Sequence, residues 1–177
     1  MNYLGIDKSS ISNGPGVRVV LWVSGCTCRC HGCQNPESWD FCAGTLFNED
    51  AKQKLFEALN KSYIRGITIS GGHPLENKNV EDIYLLIKEI KSKFPNKDIW
   101  LYTGYTWDHI FTPVCIDMFN VNNMYRKEAV KMCDVIVDGP YVEELRDITL
   151  KFRGSNNQRL IDVKATLKQD RIVTIQN

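Results

Sequence analysis

Val17-Arg18-Val19-Val20-Leu21-Trp22-Val23-Ser24-Gly25-Cys26-Thr27-Cys28-Arg29-Cys30-His31-Gly32-Cys33 joins an apolar run to a dense group of thiols. Residues 17–23 are almost all β-branched, aromatic or leucine, and Asn13-Gly14-Pro15-Gly16 and Ser24-Gly25 bound them, so they read as a buried strand. The four cysteines then lie in a loop just beyond that strand's C-terminal end.

The same order, strand then turn then helix, repeats downstream. Residues 49–62 carry Leu55, Phe56 and Leu59 at helical spacing, and Ile67-Thr68-Ile69 leads into Gly71-Gly72. Asn79 is placed to cap a helix in which Ile83, Ile87, Ile90 and Phe94 recur every three or four residues before Pro95. Ile99-Trp100-Leu101-Tyr102 ends at Thr103-Gly104, a weaker helix covers residues 124–133, and Val135-Ile136-Val137 ends at Asp138-Gly139-Pro140. Residues 171–175 read as a last strand, and the stretch at about 106–123 as a long loop or insertion. Alternating strands and helices predict an α/β fold with a mostly parallel sheet. About five strands are too few to close an eight-stranded barrel, so an open, partial (β/α) barrel is expected, in one domain over residues 1–177. The four strand-end turns fall on the edge where α/β folds bind ligands.

The 22 basic and 21 acidic residues nearly cancel, which argues against general affinity for nucleic acid or anionic membrane. There is no run of 18 apolar residues and no signal peptide at Met1-Asn2-Tyr3-Leu4, so a cytoplasmic location is expected. In a reducing compartment an odd total of seven cysteines speaks against a disulfide framework and for metal or redox chemistry. Cys42, Cys115 and Cys133 are scattered. Thiolates as close as Cys26, Cys28, Cys30 and Cys33 can surround a compact iron–sulfur cube. Structural zinc more often draws on two separate cysteine knuckles; with Cys28 included, a four-thiolate zinc site stays open as the alternative.

Cys26-x3-Cys30-x2-Cys33 resembles the CxxxCxxC signature of radical S-adenosylmethionine enzymes. Asn13-Gly14-Pro15-Gly16-Val17-Arg18 ahead of Ser24-Gly25-Cys26 is similar to the opening of the glycyl-radical activating enzymes. Gly32, Trp100-Leu101-Tyr102-Thr103-Gly104-Tyr105, Val137-Asp138-Gly139-Pro140-Tyr141 and Arg153-Gly154-Ser155-Asn156-Asn157-Gln158-Arg159 together resemble the branch that activates anaerobic (class III) ribonucleoside-triphosphate reductase. The resemblance runs from about Asn13 to about Leu160. It implies a radical S-adenosylmethionine type of partial barrel and a 4Fe-4S cluster held by Cys26, Cys30 and Cys33, with one iron left open to S-adenosylmethionine. One electron entering the sulfonium would break a C–S bond, and the resulting 5'-deoxyadenosyl radical would take a hydrogen from a glycine of the reductase's large subunit. The electron would come from a donor such as flavodoxin or a thiol system. No side chain is singled out as a catalytic acid, base or nucleophile.

By the same resemblance, Gly32, Cys33 and Gln34 would lie beside the adenine, with Gln34 at a position commonly aromatic. Gly71, Gly72 and His73 would meet the methionine end, with His73 standing where an acidic side chain is expected, so His73→Glu is expected to bind S-adenosylmethionine at least as well. Thr103 and Asp138, at strand ends, would face the same mouth; Asp138 could hold ribose, a cation or a partner's backbone amide, or merely start a turn. Cys28 is read as a bystander thiol and His31 as solvated. Arg18 is either paired with a carboxylate or a solvated or structural arginine, and residues 153–159 are assigned to cofactor or reductase without individual roles. Two other readings remain: an activase of another glycyl-radical enzyme, of the pyruvate formate-lyase type, and a non-catalytic zinc-binding interaction protein.

Overall fold

The computed structural model describes residues 1–112 and 120–175. Seven strands form one open sheet in the order β3-β1-β2-β4-β5-β6-β7. They are β1 (Asn2–Ser10), β2 (Arg18–Val23), β3 (Thr45–Leu46), β4 (Gly66–Gly71), β5 (Asp98–Tyr102), β6 (Val135–Asp138) and β7 (Arg159–Asp162). The four central strands β2, β4, β5 and β6 run parallel, and β1, β3 and β7 join antiparallel at the two edges. The helices are α1 (Glu49–Leu59), α2 (Val80–Lys93), α3 (Trp107–Phe111), α4 (Val121–Met132) and α5 (Val163–Gln169).

Strand side chains alternate between faces, and here the two faces differ in kind. Val19, Leu21, Ile67, Ile69, Ile99, Leu101 and Ile136 share one buried cluster with Leu55 and Leu59 of α1, Ile83, Ile87 and Ile90 of α2, and Val130 of α4. The opposite face carries Arg18, Trp22, Thr68, Ser70, Trp100 and Tyr102, whose register places Val20 beside Thr68 and Trp22 beside Ser70. That face has only a small apolar cluster of Trp100, Val135, Val137 and Leu160. The helices therefore close one side of the sheet and leave the polar side to build a site.

Several expectations change. Nothing in the sequence pattern marks β1 and β3, because a strand buried on little of its surface needs no apolar run. β7 is likewise hidden, with two buried residues between Arg159 and Asp162, and it displaces residues 171–175 as the last strand; there Thr174 makes an isolated bridge to Ile161. The expected loop at 106–123 contains α3, capped by Thr106, and the start of α4, while residues 113–119, with Cys115, lie outside the described residues. Asn79 precedes α2 but makes no side-chain cap; its amide donates to the Ser24 and His73 carbonyls instead. Among the described residues no helix is long and apolar enough to cross a membrane.

Candidate functional site

A cavity of about 440 Å³ opens at the C-terminal ends of the parallel strands, on the polar face. The loop after β2 supplies one wall. Its main chain is anchored by Gly25 N–H to Ser38 O at 2.7 Å and Cys26 N–H to Trp39 O at 3.1 Å, and a turn joins Cys33 N–H to Cys30 O at 3.2 Å. Cys26, Cys28, Cys30, Cys33 and Gln34 all line the cavity. Burial raises the Cys30 thiol pKa, and so do the neighbouring Cys26 and Cys33, while a main-chain contact with Tyr141 opposes them. These three sulfurs therefore sense one another. Cys28 hydrogen-bonds to Cys26, which outweighs burial and brings the Cys26 thiol down to about 6; a thiolate is the form that binds metal. The soft donors that an iron–sulfur cluster needs thus share one cavity wall, and the residues fit that group.

The turn after β4 faces this loop at close range. Gly72 N–H donates to Val23 O and His73 N–H to Gly25 O, both at 2.8 Å. A Cβ on Gly72 would come within 2.7 Å of Gly25 O and 2.8 Å of Ser38 O, so only glycine lets the two loops meet there. Gly71 and Gly72 line the cavity, but their lack of side chains is already required by protein packing.

His73 is 1% exposed. Its Nδ1 lies 3.3 Å from Glu76 Oε1 and its Nε2 2.8 Å from Thr103 Oγ1, and its ring sits edge-on to Tyr105 with centroids 4.3 Å apart. Glu76 also accepts from Thr27 N–H at 2.9 Å and Thr27 O–H at 2.5 Å. Burial raises the Glu76 pKa, but the bonds from His73 and Thr27 more than offset it and hold the carboxyl at about 2. An acidic side chain thus stands three residues beyond position 73, behind His73 and outside the cavity lining. Sequence reasoning missed Glu76, and its only sequence signal is the i,i+3 spacing from His73 across the turn. Thr103 lines the cavity as expected and bridges the ends of β4 and β5.

Two expected residues lie elsewhere. Gly32 is exposed with φ +69°, and its Cα faces the Glu143 carboxylate, outside the cavity lining. Asp138 is 1% exposed and its carboxylate is fully engaged: Arg159 Nε donates at 2.9 Å, the Arg159 terminal nitrogen at 2.5 Å, and Trp107 N–H at 2.8 Å. The cation and the amide it holds belong to its own chain. In the 153–159 segment, Gln158 accepts from Gly154 N–H at 2.9 Å and donates to Gly139 O at 3.2 Å, tying two loops into the cavity's far wall. Arg18 is paired with a carboxylate, Asp98, at 2.6 Å. His31 is exposed, and Cys133 is a buried thiol bonded to Ala129 O. A second cavity of about 360 Å³, lined by Ile148 and Arg153, adjoins the first through Asn13, Gln34 and Tyr102.

Residues 12–161 match the family described as a 4Fe-4S single cluster domain. The class is thus an iron–sulfur protein on an α/β sheet, with Cys26, Cys30 and Cys33 in the loop after its first parallel strand. Over 160 residues the chain is 42% identical to a protein of Enterobacteria phage T4 named anaerobic ribonucleoside-triphosphate reductase-activating protein, covering 90% of this chain and 93% of that one. Proteins of the same name from Haemophilus influenzae and Escherichia coli K12 are each 38% identical over 160 residues, covering 89% of this chain and 96% of theirs. The chain belongs to the family of anaerobic ribonucleoside-triphosphate reductase-activating proteins.

Proposed function

We propose that this chain is a cytoplasmic, single-domain radical S-adenosylmethionine activase that generates a glycyl radical on anaerobic ribonucleoside-triphosphate reductase. The observation that carries this reading is the placement of Cys26, Cys30 and Cys33 on one wall of a cavity whose other walls are Gly71-Gly72 and the ends of β5 and β6. Three thiolates leave a 4Fe-4S cluster one iron without a protein ligand, the open position a bound substrate needs. A reduced cluster held by Cys26, Cys30 and Cys33 would supply the one-electron chemistry that cleaves S-adenosylmethionine to methionine and the 5'-deoxyadenosyl species able to take a hydrogen atom from the reductase's glycine.

The chain's own part is to bind, orient and exclude water. Main-chain groups at Gly71 and Gly72, the Gln34 side chain and Thr103 form the cofactor wall. Asp138 and Gly32 support that wall from behind, through Arg159 and the loop at Glu143. The open sheet is a partial barrel of the radical S-adenosylmethionine type whose uncovered polar face receives the cofactor. The adjoining cavity at Ile148 and Arg153 is the approach for the glycine-bearing segment of the reductase. An external donor such as flavodoxin or a thiol system supplies the electron, which makes the activity that of an oxidoreductase.

The test is anaerobic reconstitution with iron and sulfide, reduction with dithionite, and electron paramagnetic resonance with and without S-adenosylmethionine. A 4Fe-4S signal that shifts on adding the cofactor is expected. It should be lost in Cys26→Ala, Cys30→Ala and Cys33→Ala and kept in Cys28→Ala. A cluster signal indifferent to the cofactor would refute the open iron site.

A further inference from the structure

Cys28, His73 and Glu76 are left unused by the proposed cluster. Together with Cys26 they bring one donor atom each to within 4.8 Å of one another. We propose that these four side chains form a second metal site, which takes a single Zn²⁺ ion and, because it uses Cys26, excludes the iron–sulfur cluster.

The donor set is two thiolates, an imidazole and a carboxylate, all within the repertoire of zinc. A tetrahedral ion with bonds of about 2.1 Å to nitrogen and oxygen and about 2.3 Å to sulfur sets N and O about 3.4 Å apart and N and S about 3.6 Å apart. His73 Nδ1 is 3.3 Å from Glu76 Oε1 and 3.9 Å from Cys28 Sγ. Small side-chain adjustments close that difference. Although Cys28 is exposed, its sulfur turns inward: a Cβ on Gly104 would come within 2.8 Å of it.

The outer partners of a metal site are also in place. A ligating histidine is oriented by a hydrogen bond from its second nitrogen, and His73 Nε2 meets Thr103 Oγ1 at 2.8 Å. Thr27 N–H and O–H hold the Glu76 carboxylate. On binding, the imidazole hydrogen sits on Nε2, where Thr103 accepts it, and the Cys28 thiol proton passes to solvent, Cys26 being already a thiolate. The ion then occupies the place of the proton between His73 and Glu76.

Sharing Cys26 makes the two metal states alternatives. Zinc would hold the cysteine loop folded against the β4 turn in a form unable to take up iron. The exclusion rests on the cluster assignment made above; the zinc site itself does not.

Cobalt(II), whose spectrum reports tetrahedral thiolate ligation, is the probe. Anaerobic apo-protein should bind one equivalent with intense visible bands and sulfur-to-cobalt charge transfer, reversed by Zn²⁺. The Cys30→Ser/Cys33→Ser double variant, which cannot hold the cluster, should bind as well as the parent. Cys28→Ser and His73→Gln each remove a direct ligand and should weaken binding by more than about 100-fold, beyond the about 10–100-fold that loss of a ligand's hydrogen-bond partner costs; Cys28→Ser, at an exposed position, carries the test if His73→Gln fails to fold. Retention of parental affinity in Cys28→Ser, loss in the Cys30/Cys33 double variant, or absence of tetrahedral bands in the parent would each overturn the site. Zinc-loaded parent should also refuse iron and sulfide at zinc concentrations where Cys28→Ser accepts them. Equal iron uptake by both would overturn the exclusion, whereas no cluster in any zinc-free form, with the cobalt spectrum intact, would refute only the cluster assignment.

Discussion

Replacing Arg18 with Met removes a guanidinium that is fully buried on the polar face of the sheet. Its Nε donates to Thr68 Oγ1 and a terminal nitrogen to Ile67 O, both at 2.9 Å, and the same group pairs with Asp98 at 2.6 Å. Burial lowers the Arg18 pKa and the pair with Asp98 opposes that, so the partner offsets part of the cost of burying the charge. Removing one member of a buried pair costs about 3–5 kcal/mol, most of it from the partner left behind. Asp98 is 23% exposed and keeps Arg65 at 3.0 Å, so the lower end applies, about 3 kcal/mol. At about 2–4 °C per kcal/mol in a domain of this size, Tm should fall by about 6–12 °C. Urea unfolding of the apo-protein should show the same loss in midpoint with an unchanged slope. Arg18→Met/Asp98→Asn should recover at least about 1 kcal/mol of it, since it removes the orphaned charge. The local effect reaches the cavity, because Thr68 O–H also holds Asn13 O at 2.6 Å and Asn13 lines the wall. A loss below about 1 kcal/mol for Arg18→Met, or strict additivity in the double variant, would refute the reasoning.

His73→Glu places a second carboxylate where Nδ1 now stands 3.3 Å from Glu76; chemical denaturation should show a loss of about 2–4 kcal/mol, and isothermal titration should show weaker, not equal, S-adenosylmethionine binding, contrary to the sequence expectation. Asp134 offers a pH test: burial raises its pKa, but Lys164, Lys91 and the Ile99 N–H lower it further, so it titrates below its ordinary 3.8. The folded state then binds fewer protons than the unfolded chain, and this stability is present above about pH 4 and lost as the pH falls below it; the stability gap between parent and Asp134→Asn should narrow across that window. Ile148 is 86% exposed beside the second cavity, so Ile148→Asp should leave cluster content and thermal stability unchanged while weakening reductase activation about 5–30-fold, the worth of one apolar interface contact.

The parallel core was legible because buried central strands must be apolar and α2 must repeat every three or four residues. The three antiparallel strands were not, since β3 and β7 are short edge strands paired along one side, β1 is buried on little of its surface, and neither condition imposes such a pattern; α3 and α5 are too short for periodicity to register. The cysteine loop was legible as a metal site because ligands so close in sequence are close in space whatever the fold. Gly71-Gly72 reads as a cofactor contact, and the fold adds a demand the sequence does not show: the Val23 backbone crowds Gly71, and the Gly25 and Ser38 backbones crowd Gly72, all contacts between segments far apart in the chain.

Thiol spacing, strand–helix alternation and the motif order from Asn13 to Leu160 required nothing beyond the chain to announce an iron–sulfur α/β protein. The tertiary structure decided what each polar residue does with its charge. Asp138 is consumed by Arg159, Arg18 by Asp98, and Glu76 takes up the imidazole of His73. The reason is physical: a buried ionised group must find a counter-charge or hydrogen-bond partners, and for Arg18 and Asp138 the counter-charge lies on another strand. For His73 and Glu76 it lies three residues away, yet only the turn after β4 brings their side chains together.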